Sequence, residues 1–303
     1  MGDRVILALD GSTNASTAAL LVQGRGQGAG AHGGAERVEV RTGPCVDWEV
    51  LAERTDLDSR GQARVLLRLV DDMLQETGRA QEDIGAIVAG VGPGTFTGVR
   101  IAVATARALA LALDVPILGV STLSALAAEA AASEEIRGGA GSDLIVPVVD
   151  ARRGQLFYGL YRRVGKEFAR SEPFAVCDRG ALVAAVAQVA CEASGGRTLF
   201  VGDVEGLEAP DRRSDVGFVP LQVRAVYLVA GQSALAEPGE GTEGSRLSGG
   251  LRESIARTRR AGSWEPGEPG SPEAVRPIYV RSPDADIHIT KMRDPWADAA
   301  AER

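Results

Sequence analysis

The chain has 303 residues, 45% hydrophobic and 24% charged, which is ordinary for a soluble globular protein and enough for two modest domains. A formal net charge of -8 excludes a chain that grips nucleic acid by itself, since phosphate contacts need a basic face; it leaves open a subunit whose partner does the gripping. Cys45, Cys177 and Cys191 lie far apart with no metal-binding spacing, so the sequence predicts reduced thiols and a cytoplasmic protein.

The first residues run directly into the apolar VILAL at 5–9, read as a central strand, with no signal peptide and no apolar run long enough to span a membrane. The small polar turn DGSTN at 10–14 leads to a second, antiparallel strand at 16–22. Residues 24–34 read as a low-complexity hairpin tip, and 36–41 as a third strand. Ser59 followed by Gln62 fits a capping box. The helix it opens carries an apolar stripe of Val65, Leu66, Leu69, Val70, Met73 and Leu74, and Gly78 is its stop signal. A buried strand at 84–89 then feeds GVGPGTFTGVRIAVATARALALAL at 90–113, a glycine-rich loop followed by an unbroken helix of roughly four turns. That helix is apolar nearly all round, which predicts burial on two sides, either wholly within its domain or against a second chain.

Beyond it, 115–120 reads as a strand, Ser121 caps a helix over 123–132, and 144–149 is a second central strand ending at Asp150. After the turn ARRG, residues 155–161 alternate as a hairpin partner; a helix follows at 182–191, a strand at 198–201 and a helix at 221–235. Residues 238–272 are rich in Gly, Pro, Glu, Ser and Arg and read as a disordered insertion; 278–280 form a short ordered element before a charged tail. The predicted division is a first lobe at 1–115, a second at 116–236, the insertion at 237–272 and a tail at 273–303.

The pattern of strand, Asp, small turn and antiparallel strand occurs twice, at Asp10 and Asp150. It predicts a duplicated α/β architecture whose two turns face each other across a cleft. Two carboxylates at strand ends can hold a magnesium ion and orient phosphates; each also reads as a plain turn residue bonded to nearby N–H groups. The glycine loop offers backbone N–H groups and a helix N-terminus to an anion, and reads equally as a tight strand-to-helix turn. The candidate nucleotide or anion set is therefore Asp10, Ser12, Thr13, Gly92, Gly94, Thr95, Thr97, Gly98, Asp150 and Arg152. The set is incomplete for a phosphotransferase, because bulky, cationic ARRG stands where a second phosphate loop belongs and VGDVEG at 201–206 is a weak nucleoside motif. The two histidines, His32 and His288, lie in the tip and the tail, and neither H-E-x-x-H nor G-x-S-x-G occurs. No metal site and no catalytic residue is assigned.

What remains is surface. The two helices of the first lobe hold more apolar area than one sheet face needs; an exposed remainder would mark a protein–protein interface, and both stripes read equally as ordinary core. Its candidate residues are Val65, Leu66, Leu69, Val70 and Met73 on the first helix, with Val99, Val103, Ala106, Leu109 and Ala110 on the second.

Three stretches together resemble the TsaB family, bacterial partner subunits in making threonylcarbamoyladenosine on tRNA: ILALDGSTNASTAAL, GPGTFTGVRIAVATARALALAL with VPILGVSTLSALA, and VVDARRGQLFY. The resemblance covers residues 5 to about 235 and a piece around 277–283, with a tip and an insertion longer than the family usually has. It implies the two-lobed actin-like, sugar-kinase-like ATPase fold with duplicated mixed-sheet lobes. It implies a non-catalytic scaffold that pairs through the two first-lobe helices with TsaD, the catalytic paralogue, whose metal-binding histidine pair has no counterpart in the first helix here. A small ATPase, TsaE, joins that assembly, ATP is used by the complex rather than by a cofactor site of this chain, and tRNA is reached only through the complex. Weak nucleotide binding in the cleft and a homodimer of the isolated chain are further expectations. The rival readings are a stand-alone ATP-dependent phosphotransferase using Asp10, Asp150 and the loop at 92–98, and, further behind, a metalloprotease.

Overall fold

In the computed structural model, Val5, Leu7 and Leu9 of β1 (Val5–Asp10) face one core while Ile6 and Ala8 face another, and all five are buried. A strand apolar on both sides must be covered on both sides, and this one is the middle of the molecule. The structure describes residues 4–23, 39–41, 47–57, 62–133, 142–164, 167–191, 196–209, 215–229, 235–236 and 270–280. The expected cap at Ser59, the glycine tip at 24–34, nearly all of the insertion and the tail beyond 280 lie outside the described residues.

The first sheet has the order β3-β4-β2-β1-β5-β6. β2 (Ser16–Gln23) runs antiparallel to β1, with Asp10 opposite Thr17. β4 (Asp47–Asp56) lies outside β2 and carries the short β3 (Glu39–Arg41). On the other flank β5 (Ile84–Gly90) and β6 (Ile117–Val120) run parallel. The expected lobe boundary at 115 is corrected by this pairing: β6 hydrogen-bonds to β5 and belongs to the first sheet.

Helices α1 (Gln62–Thr77) and α2 (Phe96–Leu113) lie side by side on the outer face of this sheet. α2 has the length and mean hydropathy, 1.5 over 18 residues, of a membrane span, which the reading of the sequence had denied to any segment. Gly98, Val99, Ala102, Val103, Ala106 and Ala110 build its inner face into the core of the lobe.

The inner face of the first sheet meets α3 (Thr122–Ala132), nine of whose residues are small or apolar. Its buried alanines and leucines share one core with Ile6, Ala8, Ala19 and Leu21 of the first sheet and with Ile145, Val149, Leu199 and Val201 of the second. Alanine-rich sequence lets one helix sit between two sheets without forcing them apart.

The second sheet repeats the plan. β7 (Leu144–Arg152) pairs antiparallel with β8 (Gln155–Tyr158) and β9 (Tyr161–Val164), and parallel with β12 (Thr198–Gly202), which carries β13 (Val216–Pro220). β10 (Glu167–Arg170), β11 (Ala175–Asp178) and the two-residue β14 (Leu235–Ala236) complete it, and α4 (Arg179–Cys191) covers its outer face. Each lobe thus has a central strand with an antiparallel hairpin partner on one side and parallel strands on the other, the expected two-lobed fold. The expected helix at 221–235 is corrected: 226–229 are helical, whereas Leu235 is a strand residue opposite Phe168.

The chain finally returns to the first lobe. Ile117 N–H donates to the Gly270 carbonyl, Ile278 N–H donates to the Val91 carbonyl at 2.7 Å, and Val275 enters the core beneath α2. Ser271 and Pro272, expected at the end of a disordered insertion, are buried.

Candidate functional site

Asp10 ends β1 with no exposed surface. Its Oδ1 accepts hydrogen bonds from the Ser12 N–H and the Ser12 hydroxyl, both at 2.7 Å. The Thr122 hydroxyl donates to Ser12 Oγ at 2.8 Å and lies 3.3 Å from Asp10 Oδ2. Burial pushes the Asp10 carboxyl up, against the lowering effect of the bonds from Ser12 and Thr122. This is the closed polar network of a turn, aimed at α3 rather than at a cleft.

The glycine loop explains itself in the same terms. A Cβ on Gly90 would stand 1.7 Å from Asp10 Oδ2, and one on Gly94 would stand 2.1 Å from the Ser12 carbonyl oxygen. The Thr95 N–H donates to that carbonyl, and the Gly92 carbonyl accepts from the Thr122 N–H. Gly11 in turn packs against the Gly98 carbonyl. The glycines are where the 10–14 turn, the loop and α3 touch, and the Thr95 N–H and Gly92 carbonyl are engaged in those contacts.

Asp150 sits on the second lobe at an irregularity in β7. Its Oδ1 accepts the Arg152 N–H at 3.0 Å, and its own N–H donates to Asp203 Oδ2 at 2.8 Å. Burial, then the Asp150 charge, pushes the Asp203 carboxyl up, while the hydrogen bond from Asp150 N–H and the cations Arg179 and Arg152 oppose the rise. Arg152 and Arg153 both have positive φ, 65° and 56°, an uncommon conformation for side-chain-bearing residues. It turns the Arg152 guanidinium across the interlobe cleft, where Nη2 donates to Asn14 Oδ1 at 2.5 Å. Between the lobes lies a cavity of about 150 Å³ lined by Thr13, Asn14, Thr95, Asp150, Arg152 and Asp203 with apolar neighbours including Leu126 and Val148. That is smaller than the roughly 300–1,000 Å³ of small-molecule sites.

The structure therefore divides the nucleotide or anion set. Thr13, Thr95, Asp150 and Arg152 converge on the cavity; Asp10, Ser12, Gly92, Gly94, Thr97 and Gly98 do not line it. Asp150 lines the cavity and Asp10 does not, and no group of three or more metal-ligating side chains occurs among the described residues. Asn14 and Asp203 belong to the cleft and were absent from the expected set. Asp203 follows β12 through Gly202 as Asp10 follows its own strand, which is the signal that could have found it.

The expected interface also needs correction. Leu66, Leu69, Val70, Met73, Val99, Val103, Ala106 and Ala110 are buried in the lobe's own core, and Val65 and Leu109 are half-buried. Helical periodicity finds the stripe that faces the sheet, so the residues it named are core residues rather than surface ones. Their outward sides carry Leu67 on α1, 49% exposed, and Phe96, Arg100, Ala104, Ala108 and Leu111 on α2, with Leu111 63% exposed. α2 is thus buried on one side and open on the other.

Comparison with known proteins places these features. A family model described as TsaD, tRNA N6-adenosine threonylcarbamoyltransferase, matches residues 51–251. The tRNA threonylcarbamoyladenosine biosynthesis protein TsaB of Bacillus subtilis is 39% identical over 113 residues, 37% of this chain and 46% of that one. The protein of the same name from Haemophilus influenzae is 28% identical over 172 residues, 57% of this chain and 58% of that one. The chain spans about half the length of the curated relatives it matches. The solved structure of YeaZ from Pseudomonas aeruginosa superposes with a TM-score of 0.55 at 26% identity, covering 91% of this chain and 99% of that one.

Proposed function

Since this chain belongs to the family of tRNA threonylcarbamoyladenosine biosynthesis proteins that comprises TsaB and TsaD, we propose that it is a non-catalytic subunit that docks a TsaD-like catalytic paralogue through the outward sides of α1 and α2. The paralogue then modifies the tRNA adenosine next to the anticodon, tRNA is held by the assembly, and a TsaE-like ATPase consumes the ATP. In isolation the same apolar helix sides favour a homodimer.

One observation carries this reading. α2 is 18 residues long, holds no carboxylate, and leaves Phe96, Ala104, Ala108 and Leu111 exposed, as α1, packed against it, leaves Leu67. Small residues between two large apolar ends let another helix approach closely, and an exposed apolar strip of this kind marks an interaction surface. The chain's acidic groups support a passive role: Asp10 is sealed beneath α3, and Asp150 and Asp203 hold their own turn.

The test is reconstitution with the catalytic paralogue of the same organism and a tRNA modification assay. The reading expects co-purification and a modification rate that depends on this chain. A paralogue that modifies tRNA equally well without it, or a chain that transfers phosphate from ATP by itself, would reject the assignment.

A further inference from the structure

At the N-terminal end of the outward side of α2, one arginine is fixed between two aromatic rings. The guanidinium carbon of Arg100 lies 3.6 Å from the centroid of Phe96 and 5.7 Å from that of Tyr279. The Nε–H donates to the Tyr279 hydroxyl at 2.9 Å, and the two rings stand 5.8 Å apart at 41°. Tyr279 comes from the far end of the chain. It is held in place because Ile278 is hydrogen-bonded to Val91 and Val275 is in the core. A long side chain that would otherwise sample many rotamers is therefore held in one.

The cluster stands in solvent, with Phe96 43% and Tyr279 47% exposed. Arg100 spends its Nε, while its Nη1 and Nη2 engage no hydrogen bond or ion pair among the described residues. No Asp or Glu occurs anywhere along α2 to neutralise it. A guanidinium held by its Nε edge presents its outer donors as a fork, the geometry that matches a carboxylate bidentately.

We propose that Arg100, clamped by Phe96 and Tyr279, is a preorganised anchor for an aspartate or glutamate side chain of the docked paralogue. The proposal rests on the docking reading above and adds what the partner must present at this end of α2. A protein carboxylate suits the spot better than a nucleic-acid phosphate: the neighbours along the helix are Ala104, Ala108 and Leu111, and the chain carries a net charge of -8. Arginines and aromatics held rigid before binding are the residues that dominate protein interfaces. The anchor also gives the returning segment at 270–280 a role, since it supplies the hydroxyl that orients the guanidinium.

The experiment is calorimetric titration of the full chain into the purified paralogue, with melting curves for every variant. Arg100→Ala is expected to weaken binding about 10- to 100-fold at unchanged melting temperature. Arg100→Lys keeps the charge but not the fork, and recovers only part of the loss. Tyr279→Phe keeps the ring but removes the hydroxyl, and weakens binding about 3- to 10-fold. Arg197→Ala in the second lobe removes an equal charge and binds as the unaltered chain does. Binding of Arg100→Ala within twofold of the unaltered chain overturns the anchor and leaves docking intact. So does an effect of Arg100→Ala confined to tRNA binding, which would make the contact a phosphate. If the unaltered chain fails to bind the paralogue, docking and anchor both fall.

Discussion

Arg224, on the second lobe, grips Glu53 on β4 of the first through Nε and Nη2, the closest contact being 2.5 Å. Its Nη1 lies 3.6 Å from Glu129 Oε1 on α3. One guanidinium thus serves two carboxylates at the seam between the lobes, beneath the ring of Tyr227. Burial, opposed by Arg224 and aided by the Glu53 charge, pushes Glu129 up to about 7, and its Oε2 has no hydrogen-bond partner.

The pH dependence follows from that shift. Glu129 is raised in the folded state above its unfolded value of 4.5, so the stability it contributes is fully present below pH 4.5 and is lost as pH rises through about 7. Urea melts at pH 5 and pH 8 should differ by up to about 3 kcal/mol from this group. Glu129→Gln should flatten the difference; an unchanged pH profile in that variant would mean the seam does not titrate there.

Removing the shared cation should cost more than removing either anion. Arg224→Ala leaves Glu53 and Glu129, 18% and 12% exposed, without their cation and is expected to destabilise by about 3 kcal/mol. Glu129→Gln in the same background should recover part of that loss, measured as a double-mutant cycle.

The glycine loop is a packing device, and its glycines should respond as such. Gly94→Ala drives a Cβ into the Ser12 carbonyl and is expected to destabilise by several kcal/mol, whereas Thr97→Ala, exposed on α2, should be neutral in melts. A Gly94→Ala protein of unaltered melting temperature would restore the loop to the list of phosphate cradles.

Asp10 should matter for folding alone. Asp10→Ala removes the acceptor of the Ser12 N–H and of the Ser12 hydroxyl, an expected loss of about 2–4 kcal/mol. Modification per folded complex should stay the same. A modification defect in a fully folded Asp10→Ala complex would mean the carboxylate acts chemically.

Much of this molecule was readable in the residues because short unbroken apolar runs are written plainly in them. VILALD and LIVPVVD announce central strands, and the two Asp-bearing turns announce the duplication. β4 was not legible: DWEVLAERTD mixes charges into its alternation, and its register against β2 shifts at Leu20/Leu21. The return of Val275 and Ile278 to the first lobe was hidden because a few apolar residues among prolines carry no period. The exposed side of α2 was not legible for a physical reason. In an alanine-rich helix both sides look apolar, and only the sheet beneath decides that Ala106 is inside and Ala108 outside.

The outward side of α2 is where the account is most exposed. Leu111→Asp, at a position 63% exposed, should leave the melting temperature within a few degrees of the unaltered chain and weaken binding to the catalytic paralogue at least about tenfold. Ala106→Asp, fully buried, should fail to fold and so cannot serve as the probe. The decisive measurement is the dissociation constant of the Leu111→Asp chain for the paralogue, taken beside its melting curve. A folded variant that binds at least tenfold more weakly is the predicted result; a folded variant that binds as tightly as the unaltered chain would contradict the assignment of α2 as the docking helix.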